Sequence, residues 1–152
     1  MNAAAAGAWV VLVLRLAIGG IFIVAGASKV GNAAQFAAQI AGFRLLPETL
    51  VAPLAVMLPY WEMLLGALVM LGLFTRVAAW FAVVLLALFD AAIASAVVRG
   101  MTVSCGCFGP NDATVTTWAE VARDGIFVVL ALIIALRPPG ALALDRRIGN
   151  AS

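Results

Sequence analysis

The sequence predicts an all-α integral membrane protein, a bundle of four transmembrane helices with a short interfacial helix between helices 1 and 2. Three observations lead there. First, 66% of the 152 residues are apolar, against nine basic and seven acidic side chains. A soluble domain is closer to half apolar and a quarter charged, and a core of this size cannot hide so much Ala, Val, Leu and Ile from water. Second, four apolar segments, roughly 8–27, 51–74, 77–98 and 118–136, each approach the ~20 residues needed to cross ~30 Å of hydrocarbon. Third, none of the four alternates polar and apolar residues as a barrel strand does, and a backbone in lipid must satisfy its own N–H and C=O groups, so all four read as helices. No connection is long enough to separate the chain into domains. Residues 1–152 therefore read as one membrane domain with a polar cytoplasmic tail from 137 to 152.

The first segment has one alternative. Ala25-Gly26-Ala27 resembles the small-residue cleavage site of a signal peptide. No basic stretch precedes it and Arg15 interrupts its apolar run, so the segment is expected to stay as a span. The connection after it, "SKVGNAAQFAAQIAGFRLLPETL", repeats Phe36, Ile40 and Phe43 at i, i+4, i+7, with Gln35 and Gln39 on other faces. That spacing suits a short helix lying at the membrane surface. Pro47 suits the first turn of the second span. The link at Thr75-Arg76 is so short that spans two and three must form an antiparallel hairpin. The longest polar stretch, 99–117, holds both cysteines, and Thr117-Trp118-Ala119-Glu120 at its end has the form of a capping box. Pro138-Pro139 ends the last helix.

With four spans, both termini share a face with Arg76, Arg137, Arg146 and Arg147. The other face holds Lys29, Arg44 and Arg99 together with the cysteines. The excess of basic residues places the termini in the cytoplasm and the cysteine loop outside a multi-pass protein of the cell membrane. Net charge is +2 with its basic residues scattered, which gives no nucleic-acid footprint. There is no Gly-rich phosphate loop, and without histidine the usual zinc and haem ligand sets are missing. Neither a metal nor a nucleotide is indicated.

The only two cysteines, Cys105 and Cys107, sit in "SCGCFGPND". In an oxidising compartment such thiols tend to pair, and two residues apart in a bent chain they can reach the ~4.4–6.8 Å that a bridge needs between Cα atoms. So small a ring closes almost no loop, so its effect on stability is minor, while a strained, exposed bridge is a labile one. Redox exchange is the favoured reading. A passive bridge and a pair of thiolates holding copper(I) are its rivals.

Charges inside the spans form a second group of candidates: Arg15, Glu62, Asp90, Arg123 and Asp124. Each costs at least ~2.5–3.5 kcal/mol in hydrocarbon and by default faces the bundle interior with a partner. Arg15, Gly19, Phe22, Gly26 and Lys29 make one stripe, with glycines that admit a neighbouring helix, while Pro59, Glu62 and Gly66 share a face of span two. Counting depth at ~1.5 Å per residue suggests Arg15 with Glu62 and Asp90 with Arg123 as pairs. Pro59 leaves the Ala55 carbonyl without its helical donor. These charges either set helix register or line a polar pocket for a small polar-headed ligand. Forming a disulfide releases two electrons and two protons, and a lipid-soluble quinone is the economical acceptor.

Several stretches resemble the DoxX-like and MauE families of small four-span membrane proteins: "RLAIGGIFIVAGASK", "FRLLPETL", "LPYWEMLLGALVMLGLFTRVAA" and "SCGCFG", in that order over nearly the whole chain. "CGCFG" points to the MauE-like branch. The resemblance implies a redox-associated membrane protein that forms or exchanges disulfides in exported partners beside a thioredoxin-like protein. The DoxX relatives imply a link to quinone-coupled oxidoreductase complexes. Carried over residue by residue, it makes Cys105 and Cys107 the redox pair and Arg15, Lys29, Glu62 and Gly66 motif positions. Quinone-linked oxidases of disulfide catalysts relay electrons between two cysteine pairs, and this chain has one. The expected activity is that of a quinone-linked thiol–disulfide oxidoreductase. The alternatives are a non-catalytic subunit or assembly factor of a membrane oxidoreductase complex, with structural cysteines, and a small transporter or metal-handling protein.

Overall fold

The computed structural model describes residues 3–106, 114–137 and 140–145. Five helices follow in order: α1 (Ala3–Lys29), α2 (Ala33–Gly42), α3 (Glu48–Leu71), α4 (Thr75–Val98) and α5 (Trp118–Leu136). The described residues contain no strand, only an isolated antiparallel bridge between Ser104 and Val115. Three helices, α1, α3 and α4, are long and apolar enough to cross a membrane. Trp61, Phe74, Phe81, Leu88 and Val98 are exposed, as side chains in contact with lipid are. The chain is a multi-pass membrane protein. The fourth apolar segment forms α5 over the expected residues, but its 19 residues carry Glu120, Arg123 and Asp124 in their first two turns.

The core joins α1, α3, α4 and α5 through Ile18, Phe22, Leu65, Ala79, Ala82, Ala131, Ile134 and Ala135. The most extensive pairings are α1 with α3 and α4 with α5. The α1–α3 seam follows the predicted stripe: Arg15, Phe22 and Lys29 are all buried. Its glycines let the backbones approach closely. A Cβ on Gly66 would lie 2.6 Å from the Gly19 carbonyl oxygen, and one on Gly26 would lie 2.5 Å from that of Pro59.

The link between α3 and α4 lies at 72–74, a few residues earlier than expected. Gly72 closes α3 in the left-handed region at φ 67°, where a Cβ would meet the Arg15 guanidinium. Arg15 donates from Nε to the Val69 carbonyl and from Nη2 to that of Met70, both at 2.9 Å. A cation thus satisfies carbonyls left open at a helix C-terminus. The described stretch of the tail, 140–145, packs against this end. Ala141 N–H donates to the Ala8 carbonyl at 3.0 Å, Asp145 N–H donates to that of Gly72 at 3.0 Å, and Ala143 is buried. The Asp145 carboxylate accepts from the N–H groups of Phe74 and Thr75, each at 2.7 Å, so the start of α4 is capped from outside its own sequence. Burial works against the Asp145 charge, but these backbone hydrogen bonds, the neighbouring Thr75 side chain and the nearby Arg15 together hold its carboxyl below the ordinary carboxylate range.

Two helix starts differ from expectation. Pro47 is the residue before α3 rather than part of its first turn, its φ of −58° being compatible with a helix but its ψ of 144° extended. Thr117 precedes α5 without a side-chain cap, because Glu120 turns to Arg123 instead of back to the helix start.

Candidate functional site

The stripe on α1 ends at Lys29, and α3 presents Glu62 beside Gly26, about one turn away. Lys29 Nζ donates to both Glu62 carboxylate oxygens at 2.8 Å. Side-chain exposures of 2% and 3% place the pair wholly inside the protein. The ammonium also lies over two rings, 5.2 Å from the centre of Phe36 on α2 and 5.8 Å from that of Phe89 on α4, a favourable place for a cation. Four helices therefore converge on one charge.

A cavity of about 360 Å³ opens beside this pair, with walls from all five helices and the cysteine loop. Phe22, Phe36, Phe89 and Phe127 give it an apolar interior, while Lys29, Glu62, Gln39, Asp124 and Cys105 supply its polar atoms. The loop reaches the cavity because its backbone is tied down on both sides of Ser104. Cys105 N–H donates to the Thr114 carbonyl and Thr116 N–H to that of Val103, both at 2.9 Å. Thr116 Oγ1 donates to the Met101 carbonyl at 3.2 Å. Gly106 turns the chain at φ 63°, where any side chain would be strained and a Cβ would fall 2.5 Å from Gln39 Oε1.

Cys105 is buried at 7% exposure, and its sulfur receives Arg123 Nη2 at 3.9 Å. Arg123 Nε donates to Asp124 Oδ1 at 3.0 Å, and its Nη1 forms an ion pair with Glu120 one turn back. The two carboxylates thus orient a guanidinium with one edge toward the sulfur. Cys107 lies outside the described residues, and with it the expected Cys105–Cys107 ring.

The structure departs from the pairings inferred from depth. Glu62 binds Lys29, not Arg15, because α1 and α3 are staggered: Gly26 faces Glu62 while Arg15 lies level with Val69 and Met70. Arg15 is therefore at the far end from the cavity and does not line it. Arg123 turns to Glu120 and Asp124 on its own helix rather than to Asp90. Asp90 faces Gly125 across the α4–α5 contact, and its buried Oδ1 has no hydrogen-bond partner among the described residues. Glu62 and Asp124 line the cavity with Cys105; Arg123 reaches it only through the sulfur.

Lys29 enters from the sequence as a member of the α1 stripe and a motif position of the resemblance without a role, and its pairing with Glu62 makes it a site residue. Gln39, placed by its spacing on another face of α2 from the Phe36, Ile40 and Phe43 stripe, also lines the cavity, and its Nε2 donates to Ser104 Oγ at 3.4 Å. No periodicity could show that, since the loop that meets Gln39 comes from 65 residues further along the chain.

Residues 7–137 match the family described as methylamine utilisation protein MauE. Curated relatives carry the same name. The protein from Paracoccus denitrificans is 32% identical over 130 residues, covering 85% of this chain and 70% of that one. That from Paracoccus versutus is 35% identical over 129 residues, covering 84% and 69%. That from Methylorubrum extorquens is 34% identical over 128 residues, covering 82% and 69%. No solved structure matches. A family match across nearly all of the described helices, with relatives above 30% identity along most of both chains, makes this chain a member of the MauE family.

Proposed function

We propose that this protein is a membrane thiol–disulfide oxidoreductase that passes oxidising equivalents from membrane quinone to an exported partner through Cys105 and Cys107. One observation carries the reading: a cysteine sulfur lies on the wall of a mainly apolar cavity whose polar atoms include a buried ion pair. A structural loop has no need to bring its sulfur there.

In the proposed cycle the partner, a thioredoxin-like or other exported thiol protein, attacks the Cys105–Cys107 disulfide. Its two thiols become a disulfide while the pair on this chain is reduced to two thiols. Reoxidation re-forms the bond and releases two electrons and two protons. The cavity suits a quinone by its aromatic walls and by the donors at its polar end. Two of the three Lys29 N–H groups go to Glu62, which leaves one to offer to a ligand oxygen. A quinone, when bound, supplies the two-electron, two-proton sink. The Phe22, Phe36, Phe89 and Phe127 side chains exclude water from it, and Lys29 and Gln39 orient it. In this reading α5 is the fourth span, its charged first two turns lying at the membrane surface under the cysteine loop. Both termini are cytoplasmic and the loop is outside. The relatives' name, methylamine utilisation protein, supplies the setting proposed for this exchange.

The test is thiol labelling with a membrane-impermeant reagent in membranes with and without quinone. Labelling should appear on reduction and vanish as the pair reoxidises, and quinone depletion should slow that reoxidation at least tenfold. A bridge that never opens would favour a structural subunit. Thiols protected by metal would favour a metal-handling protein.

A further inference from the structure

We propose that the cavity opens sideways into the bilayer between α3 and α4, and that the quinone-class ligand enters there and leaves its isoprenoid tail between Leu58 and Leu88; this rests on the quinone reading above. The helices pair as α1 with α3 and α4 with α5, while α3 and α4 meet far less and are joined at the end away from the cysteine loop. The cavity lies between the two pairs, with Leu58 on one wall and Leu88 on the other. Leu58 is ten residues from the start of α3 at Glu48, and Leu88 ten residues from the end of α4 at Val98. At ~1.5 Å per residue both lie about 15 Å below the loop end of the bundle, a depth occupied by hydrocarbon. Leu88 lines the cavity and is also 62% exposed, and Leu45 and Leu46, on the link into α3, line it and are exposed as well. Side chains that touch both the interior and the outer surface form the rim of an opening. At the depth of Leu88 that opening meets lipid.

The rim is about one turn from the polar end of the cavity. Leu58 and Glu62 are four residues apart on one face of α3, and Leu88 precedes Phe89 on α4. Lys29 Nζ lies against Glu62 and over the Phe89 ring, so a ligand oxygen that accepts its third N–H is held close to the mouth. At about 360 Å³ the cavity is at the small end of the ~300–1,000 Å³ typical of small-molecule sites. It has room for a substituted ring, and a tail of several isoprenoid units must lie outside it. The leucine rim gives that tail an apolar passage to the bilayer. An ion or a sugar would have to shed its water among these leucines at a high cost. The rim therefore selects a ligand already dissolved in lipid.

Two measurements on the full-length protein, in quinone-free nanodiscs of phosphatidylcholine and phosphatidylglycerol, test this. In the first, a long-tailed benzoquinone carries a photoreactive diazirine either on its ring or on its first isoprenoid unit, and the labelled residues are read by mass spectrometry. The tail probe should label α3 and α4 around Leu58 and Leu88, and the ring probe the surroundings of Phe36 and Phe89. Excess unmodified quinone should abolish both. Ring labelling there with the tail probe on α1, α5 or the cysteine loop overturns the route but leaves the quinone reading standing. If neither probe gives labelling that unmodified quinone displaces, both fall. In the second, Leu88→Trp narrows the mouth from its lipid-exposed side. It should weaken binding of the long-tailed quinone by about fivefold or more and leave that of the tail-less ring within about twofold. Leu64→Trp, at an exposed position of α3 away from the cavity, should change neither. Equal weakening of both ligands by Leu88→Trp, or of neither, overturns the passage. If Leu88→Trp does not fold, the labelling pattern of the parent protein decides by itself.

Discussion

Removing one member of the Lys29–Glu62 pair strands the other charge inside the bundle, where both side chains are almost wholly buried. Lys29→Met should therefore cost about 3–5 kcal/mol, while Lys29→Met combined with Glu62→Leu should recover most of the loss. Thermal unfolding in detergent reads both, and a single variant as stable as the double would show that the pair is not what holds these residues. The choice of partner was not legible in the sequence. The periodicity of α1 put Arg15 and Lys29 on one face, and depth counting allowed Glu62 to meet either. What decided between them was the stagger of α3 along α1, set where Gly19, Gly26 and Gly66 let the two backbones close. Arg123 shows a different gap. Its height on α5 was readable, but a nearby carboxylate on its own helix outcompeted a distant one on α4.

The α1–α3 seam and the start of α4 each yield a prediction about an element. Gly66→Ala places a methyl against backbone on α1, which cannot move aside as a side chain would, and should destabilise by about 1–3 kcal/mol. Gly20→Ala on the next position round α1, where a Cβ meets nothing, is the control and should leave the melting midpoint unchanged or raise it. The cap on α4 is electrostatic and so depends on pH. Hydrogen bonds and Arg15 hold the Asp145 carboxyl below its ordinary range. Its stabilising effect is complete above the unfolded value of about 3.9 and is lost as pH falls through the lower folded value. Asp145→Asn should cost about 1 kcal/mol at neutral pH, and the gap between variant and parent should narrow steadily below about pH 4. A gap that stays constant on acidification would mean that the carboxylate charge plays no role. The apolar length and the turns of these helices were plain in the chain. A cap supplied from 70 residues away was not.

For the molecule as a whole, the proposed topology puts the cysteine loop and both termini on opposite sides of the membrane. Cysteine labels placed one at a time at Ser152 and Asp112, in a background without Cys105 and Cys107, should react with an impermeant reagent on opposite sides of sealed membranes. Labelling from the same side would make α5 a helix that returns without crossing. The described stretch of the tail belongs to this picture as well. Residues 140–145 pack into the end of the bundle beneath Arg15, so truncation before Gly140 should leave the Ala8 and Gly72 carbonyls and the start of α4 without these partners and lower the melting midpoint in detergent.

The sequence alone determined the lipid environment, the position of every long helix, the inward stripe of α1 and the pair of sulfurs in one polar loop, because apolar length, helical period and cysteine chemistry are properties of neighbouring residues. Only the tertiary structure decided that Lys29 rather than Arg15 meets Glu62, that Gln39 and Cys105 share a cavity with them, and that Arg123 points at a sulfur. Those outcomes depend on how far one helix slides along another and on where a loop lands after tens of residues. That offset comes from the summed packing of whole helix faces, and no local pattern in the chain records it.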